Sequence, residues 1–201
     1  MKIICIGRNY ADHVKELNNE QAEEPVVFMK PDTALLRPGD SFYLPDFSDN
    51  VQHEIELVVK ISKAGKHIEK EFARNYYSEI SVGIDFTARD VQNRLKEKGL
   101  PWEKAKSFDG SAVIGTFIPI SSLSFPIHFE LEKNGICVQK GSSDLMIFDI
   151  DSLVSYVSRF ITLKVGDLIY TGTPAGVAKV QLNDLLVGRL EGRELFRMSV
   201  K

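Results

Sequence analysis

The sequence predicts an α+β protein rich in strand, dominated by antiparallel or mixed sheet. Three observations carry this. Many short apolar runs are separated by Gly, Pro and Asn turns. Helical periodicity is confined to a few brief stretches. The hairpin dipeptide Asn134-Gly135 sits between two apolar runs, Ile127 to Lys133 and Ile136 to Lys140.

Residues 2–6 read as a short buried strand, broken by Gly7-Arg8-Asn9-Tyr10. Ala11 to Asn18 reads as a helix, and residues 20–25 as a loop. A strand follows at Val26 to Met29, then turns at Lys30-Pro31-Asp32 and Pro38-Gly39-Asp40, with a short strand at Ser41 to Leu44. The best-patterned strand is His53 to Ser62, and Val82 to Phe86 is another. Thr87 and Asp90 have the spacing of a capping box, predicting a helix to about Lys98 that Gly99-Leu100-Pro101 stops. Further strands are expected at Val113 to Ile118, Asp167 to Thr171, Leu185 to Leu190 and Leu195 to Val200, with a weaker turn signal at Glu191-Gly192. Asp151 to Ile161 is a last helix. No repeat, low-complexity tract or linker divides the chain, so residues 1–201 read as one domain.

Composition narrows the function. Hydrophobic residues make up 43% and charged residues 26%, an ordinary globular balance. A net charge of -3 argues against nucleic-acid or anionic-membrane partners. No stretch approaches the roughly 20 apolar residues of a membrane span, and the apolar start is far shorter than a signal sequence. The cytoplasm is the default compartment. Cys5 and Cys137 each lie in an apolar run and read as buried thiols in strands, not a disulfide, and neither has zinc-site spacing.

Within His53-Glu54-Ile55-Glu56-Leu57-Val58-Val59, alternation puts Glu54 and Glu56 on one strand face, about 7 Å apart. Ile55, Leu57 and Val59 face the other way, toward a core. Beyond Glu56 both faces are apolar, so the strand is buried and its acids need a counter-charge. Asp85, after Val82-Gly83-Ile84, emerges from a similar strand. Three carboxylates without Cys or paired His suit a hard cation, Mg²⁺ first, with Mn²⁺ or Ca²⁺ as alternatives. The same spacing also fits the solvent face of an edge strand.

His13 and Glu16, three apart on a helix, share a face; the pair suits a general base or an ordinary surface pair. Arg89 and Gln92 repeat that spacing and can present a fork and an amide to a carboxylate, or simply face solvent. Lys106 is a further anion anchor or a surface charge. Thr171-Gly172-Thr173-Pro174-Ala175-Gly176 can offer N–H groups and a hydroxyl to an anion, but lacks the ending of a nucleotide-binding P-loop.

These segments, in order, carry a resemblance. Gly7-Arg8-Asn9-Tyr10-Ala11-Asp12-His13, Pro25 to Pro31, His53 to Leu57, Asp85 to Gln92, Pro101-Trp102, Ala105 to Asp109 and Thr171 to Val177 resemble the motifs of the fumarylacetoacetate hydrolase family. The match runs along essentially the whole chain and looks closest to short single-domain members that cleave acylpyruvates or decarboxylate oxaloacetate. It implies a roll of mixed sheets, of the type of that family's C-terminal domain, and a homodimer. It implies Glu54, Glu56 and Asp85 as metal ligands, and His13 with Glu16 as a dyad on a mobile lid. Arg89, Gln92, Lys106 and Thr173 fall at positions that contact a small 2-oxo acid, with Lys106 also catalytic. Two stretches depart from the family pattern: Gly176-Val177-Ala178-Lys179 and Gly141 to Phe148.

The implied reaction is metal-dependent hydrolysis of the C–C bond of an acylpyruvate-type 2,4-dioxo acid through a stabilised pyruvate enolate. Oxaloacetate decarboxylation and isomerisation of 2-hydroxyhepta-2,4-diene-1,7-dioate share that enolate and stand as alternatives. A catalytically silent metal-binding homologue is a rival of another class, against which the intact His13/Glu16 pair argues.

Overall fold

Apolar alternation in the short runs produces fourteen strands in a computed structural model that describes residues 1–17, 20 and 22–201. In chain order they are β1 (Ile3–Gly7), β2 (Val26–Lys30), β3 (Val51–His53), β4 (Ile55–Ile61), β5 (Tyr77–Asp85), β6 (Thr87–Ala88) and β7 (Ala112–Ile114). Then come β8 (Ile118–Pro119), β9 (His128–Lys133), β10 (Ile136–Ser142), β11 (Leu168–Tyr170), β12 (Ala178–Lys179), β13 (Leu185–Leu190) and β14 (Arg193–Ser199). The helices are α1 (Ala11–Glu16), α2 (Lys70–Ala73), α3 (Arg89–Glu97), α4 (Glu103–Lys106) and α5 (Ile150–Phe160).

Among the described residues the strands form three sheets. The largest runs β2-β1-β11-β4-β5-β7, with β8 also on β5; it is mixed, because β1 and β11 are parallel. A four-stranded sheet runs β10-β9-β13-β14, and a small one β12-β3-β6. Leu57 and Val59 of β4 and Ile80, Val82 and Ile84 of β5 pack with Phe129 and Leu131 of β9, Leu186 and Leu190 of β13, and Leu153, Val154 and Val157 of α5. The opposite face of the large sheet buries a second, smaller core around Ile3, Cys5, Val58, Leu168 and Tyr170. β4 is therefore covered on both faces, as its unbroken apolar run implies.

Several boundaries differ from the sequence reading. The run His53 to Ser62 is interrupted: β3 stops at His53 and β4 starts at Ile55, so Glu54 lies at a break between two sheets. The expected capping box does not form. Thr87 and Ala88 pair with β3, α3 begins at Arg89, and no side chain caps it. Asp90 instead accepts from Ser48 Oγ at 2.5 Å. Ser41 to Leu44 is no strand; only Phe42 bridges, to Val200. The run Val113 to Ile118 splits into β7 and β8. α1 ends at Glu16, and Asn18, its expected end, lies outside the described residues. Cys137 is exposed on β10, the edge strand of its sheet; Cys5 is buried, and both thiols are free. Among the described residues no helix is long and apolar enough to cross a membrane.

The departing stretch Gly141 to Phe148 has a structural use. Fully buried Asn9 donates from Nδ2 to the carbonyls of Phe148 (3.0 Å) and Thr171 (2.7 Å), and its Oδ1 accepts from Phe148 N–H (2.7 Å). One amide thus joins the turn after β1 to two distant loops. Asn9→Ala would leave these buried backbone groups unpaired and is expected to cost about 2 to 3 kcal/mol, read as a lower urea midpoint with an unchanged slope.

Candidate active site

The register of β4 against β5 brings the acids together. Glu56 pairs with Gly83 and Ile55 with Ile84, and Asp85 N–H donates to the Glu54 carbonyl at 2.9 Å. Gly83 is bare for a reason: a Cβ there would lie 2.9 Å from Tyr170 Cε1 and 3.0 Å from Val58 Cγ2. Glu54, Glu56 and Asp85 are all buried, and one carboxylate oxygen from each lies within 4.8 Å of the others. The edge-strand alternative is thereby excluded.

Three cations face them. Lys106 Nζ donates to Glu54 Oε2 (2.7 Å), Asp85 Oδ2 (2.6 Å) and Thr87 Oγ1 (2.5 Å). Arg89 pairs with Glu54 and donates to Gln92 Oε1 (2.6 Å) and Gln52 Oε1 (2.8 Å). Fully buried Lys30 sits 2.7 Å from Asp85 Oδ1 and donates to Ser111 Oγ at 3.0 Å and to the Lys106 carbonyl. The Asp85 Oδ1 contact lies outside hydrogen-bonding geometry, so that oxygen is left without a hydrogen-bond partner.

The acids differ electrostatically. Burial opposes ionisation of Glu54, but Lys106 and Arg89 outweigh it and hold its carboxyl well below the usual range. Burial raises Glu56 well above that range, and the negative charges of Asp85 and Glu54 push it further; Gly172 N–H, donating at 2.7 Å, opposes them only in part. Burial works against the Lys106 ammonium, yet Asp85 and Glu54 raise its pKa. A buried carboxylate oxygen without a hydrogen bond, a carboxyl whose ionisation burial and its acidic neighbours oppose, and an all-oxygen donor set fit a hard divalent cation.

A cavity of about 40 Å³ opens on this group and is lined by His13, Glu54, Glu56, Asp85, Arg89, Gln92, Lys106 and Thr173. Glu16 stands behind His13, 3.1 Å from its Nδ1. Glu16 also accepts from Gly176 N–H at 3.0 Å, tying α1 to the 171–176 turn. The anion that this turn receives is the protein's own Glu56 at Gly172, where φ is +101° and a Cβ would meet Asn9 Cβ at 2.7 Å. In the other departing stretch, Ala178 and Lys179 form β12, paired with His53 and Gln52.

Lys30, Gln139 and His53 went unassigned in the sequence reading. Gln139 Oε1 accepts from Ile55 N–H (3.1 Å) and lies 2.8 Å from His53 Nδ1, and its Nε2 donates to Thr173 Oγ1 (3.0 Å). Burial lowers the His53 pKa against the Gln139 contact. A neutral ring protonated on Nδ1 satisfies this bond. Isolated polar residues in apolar strands were the available signal: Lys30 ends β2, and Gln139 lies in β10.

Comparison with known proteins came out consistently. The profile of the fumarylacetoacetate (FAA) hydrolase C-terminal family matches residues 2–197. The oxaloacetate tautomerase FAHD1, mitochondrial, of Mus musculus is 43% identical, over 99% of this chain and 91% of its own. The oxaloacetate tautomerase YcgM of Escherichia coli is 40% identical, over 96% of this chain and 90% of its own. The crystal structure of fumarylpyruvate hydrolase from Pseudomonas aeruginosa in complex with Mn²⁺ and pyruvate superposes with a TM-score of 0.93 at 37% identity, covering 100% of this chain and 89% of that one.

Lys30→Met would strip Asp85 of a buried cation and is expected to cost about 3 to 5 kcal/mol in chemical denaturation. A cost near zero would show that Lys30 does not balance the acid cluster.

Proposed function

The chain belongs to the fumarylacetoacetate hydrolase family, and on that premise we propose that it interconverts the enol and keto forms of oxaloacetate-type 2-oxo acids with a divalent cation. The observation that carries this reading is the buried carboxylate trio beside Lys106, Arg89 and His13 in one cavity. Glu54, Glu56 and Asp85 would hold Mg²⁺ or Mn²⁺, whose charge, when bound, favours the enolate over the neutral ketone.

The chain's own residues supply the rest. Arg89, Gln92, Lys106 and Thr173 bind and orient the carboxylate next to the 2-oxo group. Glu16 holds His13 with its proton on Nδ1, leaving Nε2 free to carry a proton. Tautomerisation then moves one proton between the C2 oxygen and C3, and no bond between heavy atoms breaks. The narrow, buried cavity limits the access of water to the enolate.

A second reading is hydrolysis of an acylpyruvate. It is favoured by the His13/Glu16 dyad, which is built to take a proton from water attacking the distal carbonyl. Cleavage of the C–C bond would leave a pyruvate enolate, which the same cation would favour. The likeness to the fumarylpyruvate hydrolase structure supports it.

The test is a panel of enol-oxaloacetate, acetylpyruvate and fumarylpyruvate, following loss of enol absorbance and release of pyruvate separately. Excess EDTA is expected to abolish turnover and Mg²⁺ or Mn²⁺ to restore it. His13→Ala is expected to lower kcat on the order of 10² to 10⁴-fold with bound metal retained. Turnover that persists in EDTA would overturn the metal-dependent reading. Pyruvate release from acetylpyruvate without enol conversion would favour hydrolysis instead.

A further inference from the structure

Two cations line the same cavity without serving the acid cluster. Arg8 follows β1 and Lys96 lies in the last turn of α3. Among the described residues, Lys30, Lys106 and Arg89 pair with Glu54 and Asp85, and neither Arg8 nor Lys96 makes an ion pair. Arg8 Nε is buried with no hydrogen-bond partner. Arg8 also holds a left-handed backbone, φ +60°, which residues other than glycine adopt uncommonly. A guanidinium whose buried Nε lacks a hydrogen-bond partner at a cavity wall has a donor that an anion would satisfy.

Lys96 shares its helix face with the substrate-facing pair. Arg89, Gln92 and Lys96 fall at i, i+3 and i+7, and all three line the cavity. Arg89 is buried against Glu54, whereas Lys96 is half-buried, so the row climbs from the acids toward the mouth. Trp102 and Phe28 pack edge-to-face at 6.0 Å beside it, with Lys96 Nζ 5.4 Å from the Trp102 ring and Lys106 Nζ 5.1 Å from the Phe28 ring. The arrangement is cations at two levels with an apolar wall between them. It suits a molecule with an anionic group at each end and a hydrocarbon middle.

We propose that Arg8 and Lys96 form a second carboxylate subsite toward the mouth of the cavity, so that the site selects 2-oxo acids bearing a distal carboxylate over monoanionic ones. This rests on reading the site as one for 2-oxo acids. Electrostatics agree: burial, then the positive charges of Arg89, Arg8 and Lys106, push Lys96 down to about 8, a strain that a bound carboxylate relieves. The subsite separates dianionic substrates such as oxaloacetate or fumarylpyruvate from acetylpyruvate, which has no second carboxylate to offer.

The test is equilibrium binding to the Mn²⁺-loaded protein of two probes: pyruvate, and the C3-difluorinated analogue of oxaloacetate, which carries the second carboxylate and has no C3 proton to lose. Wild type is expected to bind the dicarboxylate more tightly. Arg8→Gln and Lys96→Met are each expected to weaken it about tenfold or more, with pyruvate affinity held within about twofold. Lys96→Met keeps helix propensity on a half-buried face, so it reads the subsite even if Arg8→Gln disturbs the turn. Unchanged dicarboxylate affinity in Lys96→Met, or equal weakening of both probes, overturns the subsite while pyruvate binding leaves the 2-oxo acid reading standing. Failure of wild type to bind either probe overturns both.

Discussion

Three carboxylates share one buried space, and the rest of the structure is arranged around making that tolerable. Isolated charges in such a place would neutralise. Lys106 spans Glu54 and Asp85, Arg89 covers Glu54, and Lys30 approaches Asp85 from the buried side. Among the described residues Glu56 has no cation against it and accepts one hydrogen bond, from Gly172 N–H, while burial and then the charges of Asp85 and Glu54 raise its pKa. Mutual repulsion is the stored electrostatic free energy that a divalent cation would release. A cluster at once stabilised by cations and short of full compensation is what a metal site needs before the metal arrives.

The parts that meet here come from far apart in the chain, and a few polar side chains fix their mutual positions. Asn9 joins the turn after β1 to the loops at Phe148 and Thr171. Gln139, on the four-stranded sheet, reaches Ile55, His53, Thr173 and Pro174. Both amides are buried and use donors and acceptors together, so each holds several loops at defined distances. The sandwich packing supplies rigidity, and these two residues convert it into a defined cavity wall. Positioning by rigid strands also explains why α1 can be short: β4, β5 and the break before β4 hold the acids, and α1 adds His13 and Glu16.

Local chemistry made the acids and the fold class legible in the sequence. Alternation along Ile55, Leu57 and Val59 gave the core face, and the ordered motifs gave the cavity's other residues. Less legible were features that depend on long-range pairing. Glu54 looks like part of a continuous strand, yet β3 joins a different sheet, because Val51 and Gln52 pair with Ala88 and Thr87. That pairing also removes Thr87 from the helix and gives its hydroxyl to Lys106. Cys137 sits in an apolar run, but its strand is an outer one, and only topology tells that. Arg8 and Lys96 look like ordinary surface charges until the fold sets them on one cavity.

The most direct measurement is a calorimetric titration of Mn²⁺ into the protein, in pairs of buffers with different ionisation enthalpies and at several pH values. Because burial and its acidic neighbours raise Glu56, a metal seated there is expected to displace a proton. Wild type is expected to bind one ion, with affinity that strengthens as pH rises through the Glu56 ionisation and with proton release that grows as pH falls. Glu56→Gln should bind weakly and lose that release. Tight binding by wild type with no proton release at any pH, or the same release from Glu56→Gln, would contradict a cation seated among Glu54, Glu56 and Asp85.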